Sequence, residues 1–144
     1  MWALELSADA FPYLERNVRE SGAHVTPLRA DVLQPDGLPL PDALDLVVSN
    51  PPYICSETVG TLGKTVSHEP RMALDGGPDG LRFYRGIAEA WKERLRPGGW
   101  LVFEIGFDQA AGVRDILAAH GFTELRCLRD YGGNDRVVCG RRSG

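Results

Sequence analysis

Asn50, Pro51, Pro52 and Tyr53 follow directly on an apolar run, in the stretch DLVVSNPPYI at residues 45 to 54. An asparagine side chain offers a carbonyl acceptor and an amide donor, both neutral. Each proline fixes its own φ and lacks an N–H, so Pro51 and Pro52 make a stiff turn with exposed backbone carbonyls. Tyr53 adds a flat aromatic face. The quartet suits a planar ligand carrying an NH₂ group: two carbonyl acceptors take its hydrogens while the ring covers its plane.

Such a nitrogen, in an amide or an aminopurine, is a poor nucleophile because its lone pair is delocalised. Accepting both hydrogens while fixing the plane helps the lone pair localise and aims it at an electrophile. An uncharged clamp suits a reactive cation such as a sulfonium methyl donor. No general base must act before attack, since the proton can leave afterwards. This is catalysis by positioning and tuned hydrogen bonds. The plainer reading is that Asn-Pro-Pro ends a strand with favourable turn residues. Its place after a buried-type strand, in an alternating α/β pattern, favours the functional one.

The elements that must position the quartet read as follows. Trp2 to Leu6 is a short strand, and a helix from about Ala8 to Glu20 follows, capped by Ser7 or Asp9 and stopped by Gly22. Val25 to Arg29 is a second strand, with Pro27 as a pairing problem. Leu44 to Ser49 is the third. Residues 54 to 80 are irregular and glycine-rich, a length of loop that is usually functional or disordered. The spacing of Phe83, Ile87, Trp91 and Leu95 predicts one buried face of a helix over 81–95, ended by RPGG with Gly98 as its left-handed cap. WLVFEIG at 100–106 is the strongest strand. A helix capped by Asp108 and stopped by Gly121 leads to TELRCLRD and DRVVCGR, which flank YGGN as an antiparallel hairpin. The sum is an α/β chain with a doubly wound, mostly parallel sheet and one antiparallel edge. In such sheets ligands bind at the carboxyl ends of strands, and Asn50 sits at one.

Composition agrees and narrows the class. With 144 residues, 43% of them hydrophobic and 25% charged, the chain suits one α/β domain and not a disordered segment. A formal charge of −4 counts against nucleic acid as a partner. No run approaches the roughly 18 apolar residues of a membrane span. Cys55, Cys127 and Cys139 lack metal or disulfide spacing and read as reduced thiols of a cytoplasmic protein. The histidines at 24, 68 and 120 are isolated.

SNPPYI, together with EPRMALDGGPDGL at 69–81, FEIGFDQ at 103–109 and DYGGNDRVV at 130–138, resembles the protein-(glutamine-N5) methyltransferases that act on peptide chain release factors. These are class I S-adenosylmethionine-dependent methyltransferases, and the resemblance covers essentially the whole chain. It implies that Asn50 bonds the substrate glutamine amide, with the Pro51 carbonyl as second acceptor and Tyr53 packed on the amide plane. Pro52 completes the catalytic turn. Glu5 would bind the cofactor's ribose hydroxyls and Asp31 would face its adenine amine, Asn50 also counting among the cofactor contacts. Glu69, Pro70, Gly76 and Gly77 would wall the substrate pocket, although a flexible glycine-rich loop fits the composition equally well. Asp31 reads alternatively as a loop turn residue. Glu104 reads as structural, and Asp130 and Arg136 as an ion pair across the hairpin.

Set against this family, residues 1–144 form a partial catalytic domain that lacks the first, central strand and its glycine-rich cofactor loop. The small helical domain that precedes the catalytic domain in the family is also missing. The expectation is two inward strand edges without partners. They would be relieved by swapping or self-association, or by direct pairing of the strand carrying Glu5 with the strand ending at Asn50. Two other readings stay open: an adenine-N6 methyltransferase of nucleic acid, and a non-catalytic fragment that keeps the clamp.

Overall fold

Pro12 and Gly22 decide the limits of the first helix. The computed structural model describes residues 1–61 and 70–144, and in it strand β1, Trp2–Glu5, precedes helix α1, Phe11–Ser21. The helix begins later than Ala8 because Pro12 must occupy its first turn, where no N–H is needed. Ser7 acts ahead of it, its Oγ accepting the Ala10 N–H at 3.2 Å. Gly22, at φ 64°, closes the helix in the left-handed region. Strand β2, Thr26–Arg29, pairs in parallel with β1, from Trp2 opposite Thr26 to Glu5 opposite Arg29. A two-stranded sheet leaves each strand an outer edge, and there Pro27 costs no ladder bond.

These elements form one unit, Met1–Pro41, and Asp42–Gly144 forms a second. The second is built on strands β3 (Leu44–Ser49), β4 (Leu95–Glu104), β5 (Phe122–Arg129) and β6 (Asp135–Arg142), in the order β3-β4-β6-β5. β3 runs parallel to β4, while β6 runs antiparallel to both β4 and β5. The antiparallel strand is therefore β6, inside the sheet; the edge belongs to β5, which points the same way as β4. β1 and β3 lie in different sheets, so direct pairing between them is not how the chain is arranged. β3 is left as an edge strand, with Leu46 and Val48 53% and 65% exposed.

Alternate residues Leu101, Phe103 and Ile105 are fully buried, as strand geometry requires of one covered face. Helices α3, Arg82–Lys92, and α4, Ala110–Ala119, supply the other side of the core: Tyr84, Ile87, Ala88 and Trp91 from α3, Val113 and Leu117 from α4. Tyr84 and Phe103 meet edge to face, their centroids 5.1 Å apart. The expected face of α3 is thus turned by one residue. Tyr84 replaces Phe83, which is half-buried under the Arg82 guanidinium. Leu95 is buried as the first residue of β4, because the helix stops at Lys92.

Arg96-Pro-Gly-Gly lies inside β4 and does not cap a helix. Gly98 does take φ 79°, where the register against β3 jumps from Leu44–Leu95 to Leu46–Trp100. α4 starts after Gln109, one residue beyond Asp108. In the stretch expected to be irregular, Ser56–Thr61 forms helix α2 and Arg71–Ala73 a 3₁₀ turn. Among the described residues no helix is long and apolar enough to cross a membrane.

Candidate functional site

Because β3 and β4 are parallel and Ser49 lies opposite Phe103, Asn50 emerges beside the carboxyl end of β4. Asn50 is exposed, Pro51 is buried, and Pro52 and Tyr53 are half-buried. The amide head of Asn50 is therefore presented outward from a turn whose first proline is sunk in the fold.

Residues 74–82 clasp that turn. The Ile54 N–H donates to the Leu74 carbonyl at 3.0 Å, and the Gly76 N–H returns a bond to the Ile54 carbonyl at 2.8 Å. Ser56 donates through its N–H to the Gly77 carbonyl at 3.0 Å and through its hydroxyl to Asp75 Oδ1 at 2.6 Å. The same oxygen accepts the Gly77 N–H at 3.0 Å, and Arg71 Nε lies 3.3 Å from Asp75 Oδ2. The Ser56 hydroxyl first, then the Gly77 N–H and Arg71, hold the Asp75 carboxyl below its ordinary range against a partial cost of burial.

Gly76 is required by proximity. A Cβ there would stand 2.7 Å from Tyr53 Cα and 2.8 Å from the Pro52 carbonyl oxygen. Gly80, at φ 72°, has its own missing Cβ aimed at the Tyr53 carbonyl. The loop is glycine-rich because backbone must touch backbone here, an alternative that composition alone could not separate from flexibility.

Two residues not among the expected site residues complete the arrangement. Gln109 Nε2 donates to the Tyr53 carbonyl at 2.9 Å and to the Gly80 carbonyl at 3.3 Å. Its Oε1 accepts the Gly106 N–H at 3.1 Å and the Tyr84 hydroxyl at 3.2 Å. Tyr84 is fully buried and shares its single O–H proton between Gln109 Oε1 and the Glu104 carbonyl, 3.1 Å away; burial pushes its phenol well above the usual range. The only sequence signal was the glutamine closing FEIGFDQ.

In the unit Met1–Pro41, Glu5 ends β1 and Asp31 follows β2 at the same end of that two-stranded sheet. Each is half-buried and uses one carboxylate oxygen locally: Glu5 Oε1 accepts the Ser7 N–H at 2.7 Å, and Asp31 Oδ1 accepts the Leu33 N–H at 2.8 Å. The turn role of Asp31 is thus present in the structure. Each carboxylate has a second oxygen whose chemistry suits a ribose diol or an adenine amine.

Glu69 lies outside the described residues, as does His68. Pro70 immediately precedes the 3₁₀ turn. Glu104 is half-buried at the end of β4. Asp130 and Arg136 pair across the hairpin at 3.2 Å, and Arg136 also donates to the Ile105 carbonyl at 3.4 Å. Cys55, Cys127 and Cys139 are free thiols, and burial pushes those of Cys127 and Cys139 up. Among the described residues no cluster could hold a metal ion.

No family model matches the chain. Among curated relatives, the release factor glutamine methyltransferase of Caulobacter vibrioides is 52% identical over 100 residues, 69% of this chain and 35% of that protein. The release factor glutamine methyltransferase of Geobacter sulfurreducens is 43% identical over 139 residues, 96% of this chain and 48% of that protein. The chain thus spans between about a third and a half of the length of these relatives. Among solved structures, a methyltransferase from Pyrococcus furiosus superposes with a TM-score of 0.70 at 17% identity, over 99% of this chain and 62% of the other. That likeness shows the fold alone: over the matched length the chain shares the α/β fold of that methyltransferase.

Proposed function

This chain belongs to the release factor glutamine methyltransferase family, matching about half of its relatives' length, and from that premise we propose that it serves S-adenosylmethionine-dependent methylation of a glutamine side-chain amide in a peptide chain release factor. The observation that carries the reading is the exposed Asn50 amide on a turn locked by Pro51, Gly76 and Gln109. One lone pair of the Tyr53 carbonyl is taken by Gln109, and we assign Asn50 Oδ1 and the Pro51 carbonyl as the acceptors for a substrate NH₂. Pro52 stiffens the turn, and the Tyr53 ring covers the amide plane.

S-adenosylmethionine supplies a methyl group carried on a sulfonium. Glu5 would hold its ribose hydroxyls and Asp31 its adenine amine. The chain's own work is to bind, to flatten the amide and to aim its nitrogen. The surplus proton leaves the nitrogen for water after transfer, so no basic side chain is needed. A neutral clamp also leaves no anionic side chain to compete for the methyl group. We infer in addition that residues 1–144 are part of one catalytic domain, that the reaction belongs to the cytoplasm, and that free copies of the chain associate through the edge of β3. The formal charge of −4 lends nothing to a nucleic-acid substrate.

The test is to incubate the protein with S-adenosylmethionine and a bacterial release factor and map methylation by peptide mass spectrometry. A methyl group on a glutamine side chain, absent with Asn50→Ala, is the expected result. Cofactor binding with no methylated glutamine would overturn the assignment.

A further inference from the structure

We propose that Gln109 is the positioning residue that sets the geometry of the clamp, acting through the Tyr53 carbonyl; the inference rests on the reading of residues 50–53 as a substrate clamp.

Four hydrogen bonds engage both ends of the Gln109 amide: two donated by Nε2 and two accepted by Oε1. The orientation is forced, since the reversed amide would set nitrogen against the Gly106 N–H and oxygen against two carbonyls. The partners belong to four different segments: the clamp, the 76–80 loop, the end of β4 and helix α3. Gln109 is thus where the clamp is joined to the rigid core, because Tyr84 is fully buried and in edge contact with Phe103.

The joint has a direction. Fixing the Tyr53 carbonyl fixes the Tyr53–Ile54 peptide plane. The other side of Tyr53 is bounded by Gly76, whose missing Cβ would be 2.7 Å from Tyr53 Cα. A residue held from both sides has little freedom in φ and ψ, so its ring has a defined line of approach to the amide plane. Side-chain packing could locate Tyr53 as a mass; the Gln109 bond to its carbonyl, together with the bond from the Ile54 N–H to the Leu74 carbonyl, sets the rotation of the peptide from both of its ends. The same bond occupies one lone pair of that carbonyl, and in the proposed clamp the Asn50 and Pro51 acceptors are the pair that defines its width.

The experiment compares wild type with Gln109→Met, which keeps length and removes all four bonds. Val113→Ala serves as a control: it removes buried methyl groups from the same helix without touching the clamp. Methyl transfer to release factor is measured alongside thermal stability and the NMR signals of the Tyr53 ring and the Ile54 amide. The expected result for Gln109→Met is a fall in kcat of about thirtyfold, from two lost bonds to the clamp and loop. KM for S-adenosylmethionine should be unchanged, the Ile54 amide should exchange faster and the Tyr53 ring signals should shift. Val113→Ala should lower Tm by at least as much while leaving kcat and those signals in place.

Equal losses of kcat in the two variants, or a Gln109→Met protein with wild-type kcat, would overturn the inference and make Gln109 a stability residue. If wild type methylates no glutamine, the functional reading fails on its own. The NMR comparison still decides whether Gln109 sets Tyr53, and unchanged Tyr53 and Ile54 signals count against it.

Discussion

A side chain at Gly76 would bring its first carbon to 2.7 Å from the Tyr53 Cα, so these two residues can touch only because one of them has no Cβ. The neighbours are backbone and have little room to yield. Gly76→Ala should therefore destabilise the protein by about 1 to 3 kcal/mol, the cost of forcing atoms into filled space. Gly133→Ala is the comparison: at φ 83° with nothing within 4 Å of its Cβ, it should lose only the roughly 1 kcal/mol of a strained backbone. Urea denaturation measures both. Turnover should fall with Gly76→Ala and hold with Gly133→Ala.

Asn50 and Glu5 should fail in opposite ways. Asn50→Ala removes an acceptor that matters most during transfer, and kcat should fall at least about a hundredfold with little change in cofactor affinity. Glu5→Gln replaces a charged acceptor by a neutral one, and cofactor affinity should weaken by about tenfold or more. Calorimetric titration with S-adenosylmethionine, run beside the methyl-transfer assay, separates them. A collapse of cofactor binding in Asn50→Ala would show that the amide serves the cofactor and not the substrate.

Acid should loosen the clasp around the clamp below the ordinary carboxylate range. Asp75 has its folded pKa lowered from 3.8, first by the Ser56 hydroxyl, and Asp79 is held down to about 2, first by Arg85. A lowered folded pKa contributes stability in full above the unfolded value, and the contribution is lost as pH falls through the folded one. Stability from these two groups should therefore decline between about pH 4 and pH 2 and be flat above. Both carboxylates are partly exposed, so the decline is small. In Ser56→Ala, NMR titration should find the Asp75 pKa moved back toward 3.8.

Edge strand β3 carries Leu46 and Val48 outward with no lysine or proline to guard it. Free copies of this chain should self-associate at high micromolar concentration, and Val48→Lys should shift the population toward monomer. Sedimentation velocity over a dilution series reads both. A monomer throughout, or association that Val48→Lys leaves untouched, would place the contact elsewhere or remove it.

Local chemistry made part of this molecule legible. β3 matched the apolar run at 44–49, the hairpin of β5 and β6 matched its two β-rich stretches, and Gly22 marked the end of α1. The Asn50 quartet stood out because two prolines beside an amide and a phenol end a buried-type strand where an α/β sheet presents its loops, although turn chemistry alone also accounts for Asn-Pro-Pro. What could not be read was whatever depends on distant partners. Tyr84 carries a hydroxyl, and pattern alone ranked Phe83 above it as core; the hydroxyl is tolerated in the interior because the Glu104 carbonyl and Gln109 accept it. Gln109 looked like an ordinary helix-start residue. Gly76 reads as pocket wall or as loop flexibility alike, since nothing in a glycine announces which backbone it must approach. The order of β5 and β6 was hidden for the same reason: a hairpin does not say which of its strands faces inward.

The bond from Gln109 to the Tyr53 carbonyl closes a span of 56 residues, and that span has a meaning in time as well as in space. Chains are synthesised from the amino end and tend to fold as they emerge. Asn50, both prolines and Tyr53 leave the ribosome well before Tyr84, and Tyr84 before Gln109. Until residue 109 is out, the Tyr53 peptide can be held at its Ile54 N–H by the Leu74 carbonyl, but the Gln109 bond to its carbonyl is missing. A nascent chain therefore carries the clamp's residues before it has their full geometry, and the proposed clamp is completed only once Gln109 has emerged.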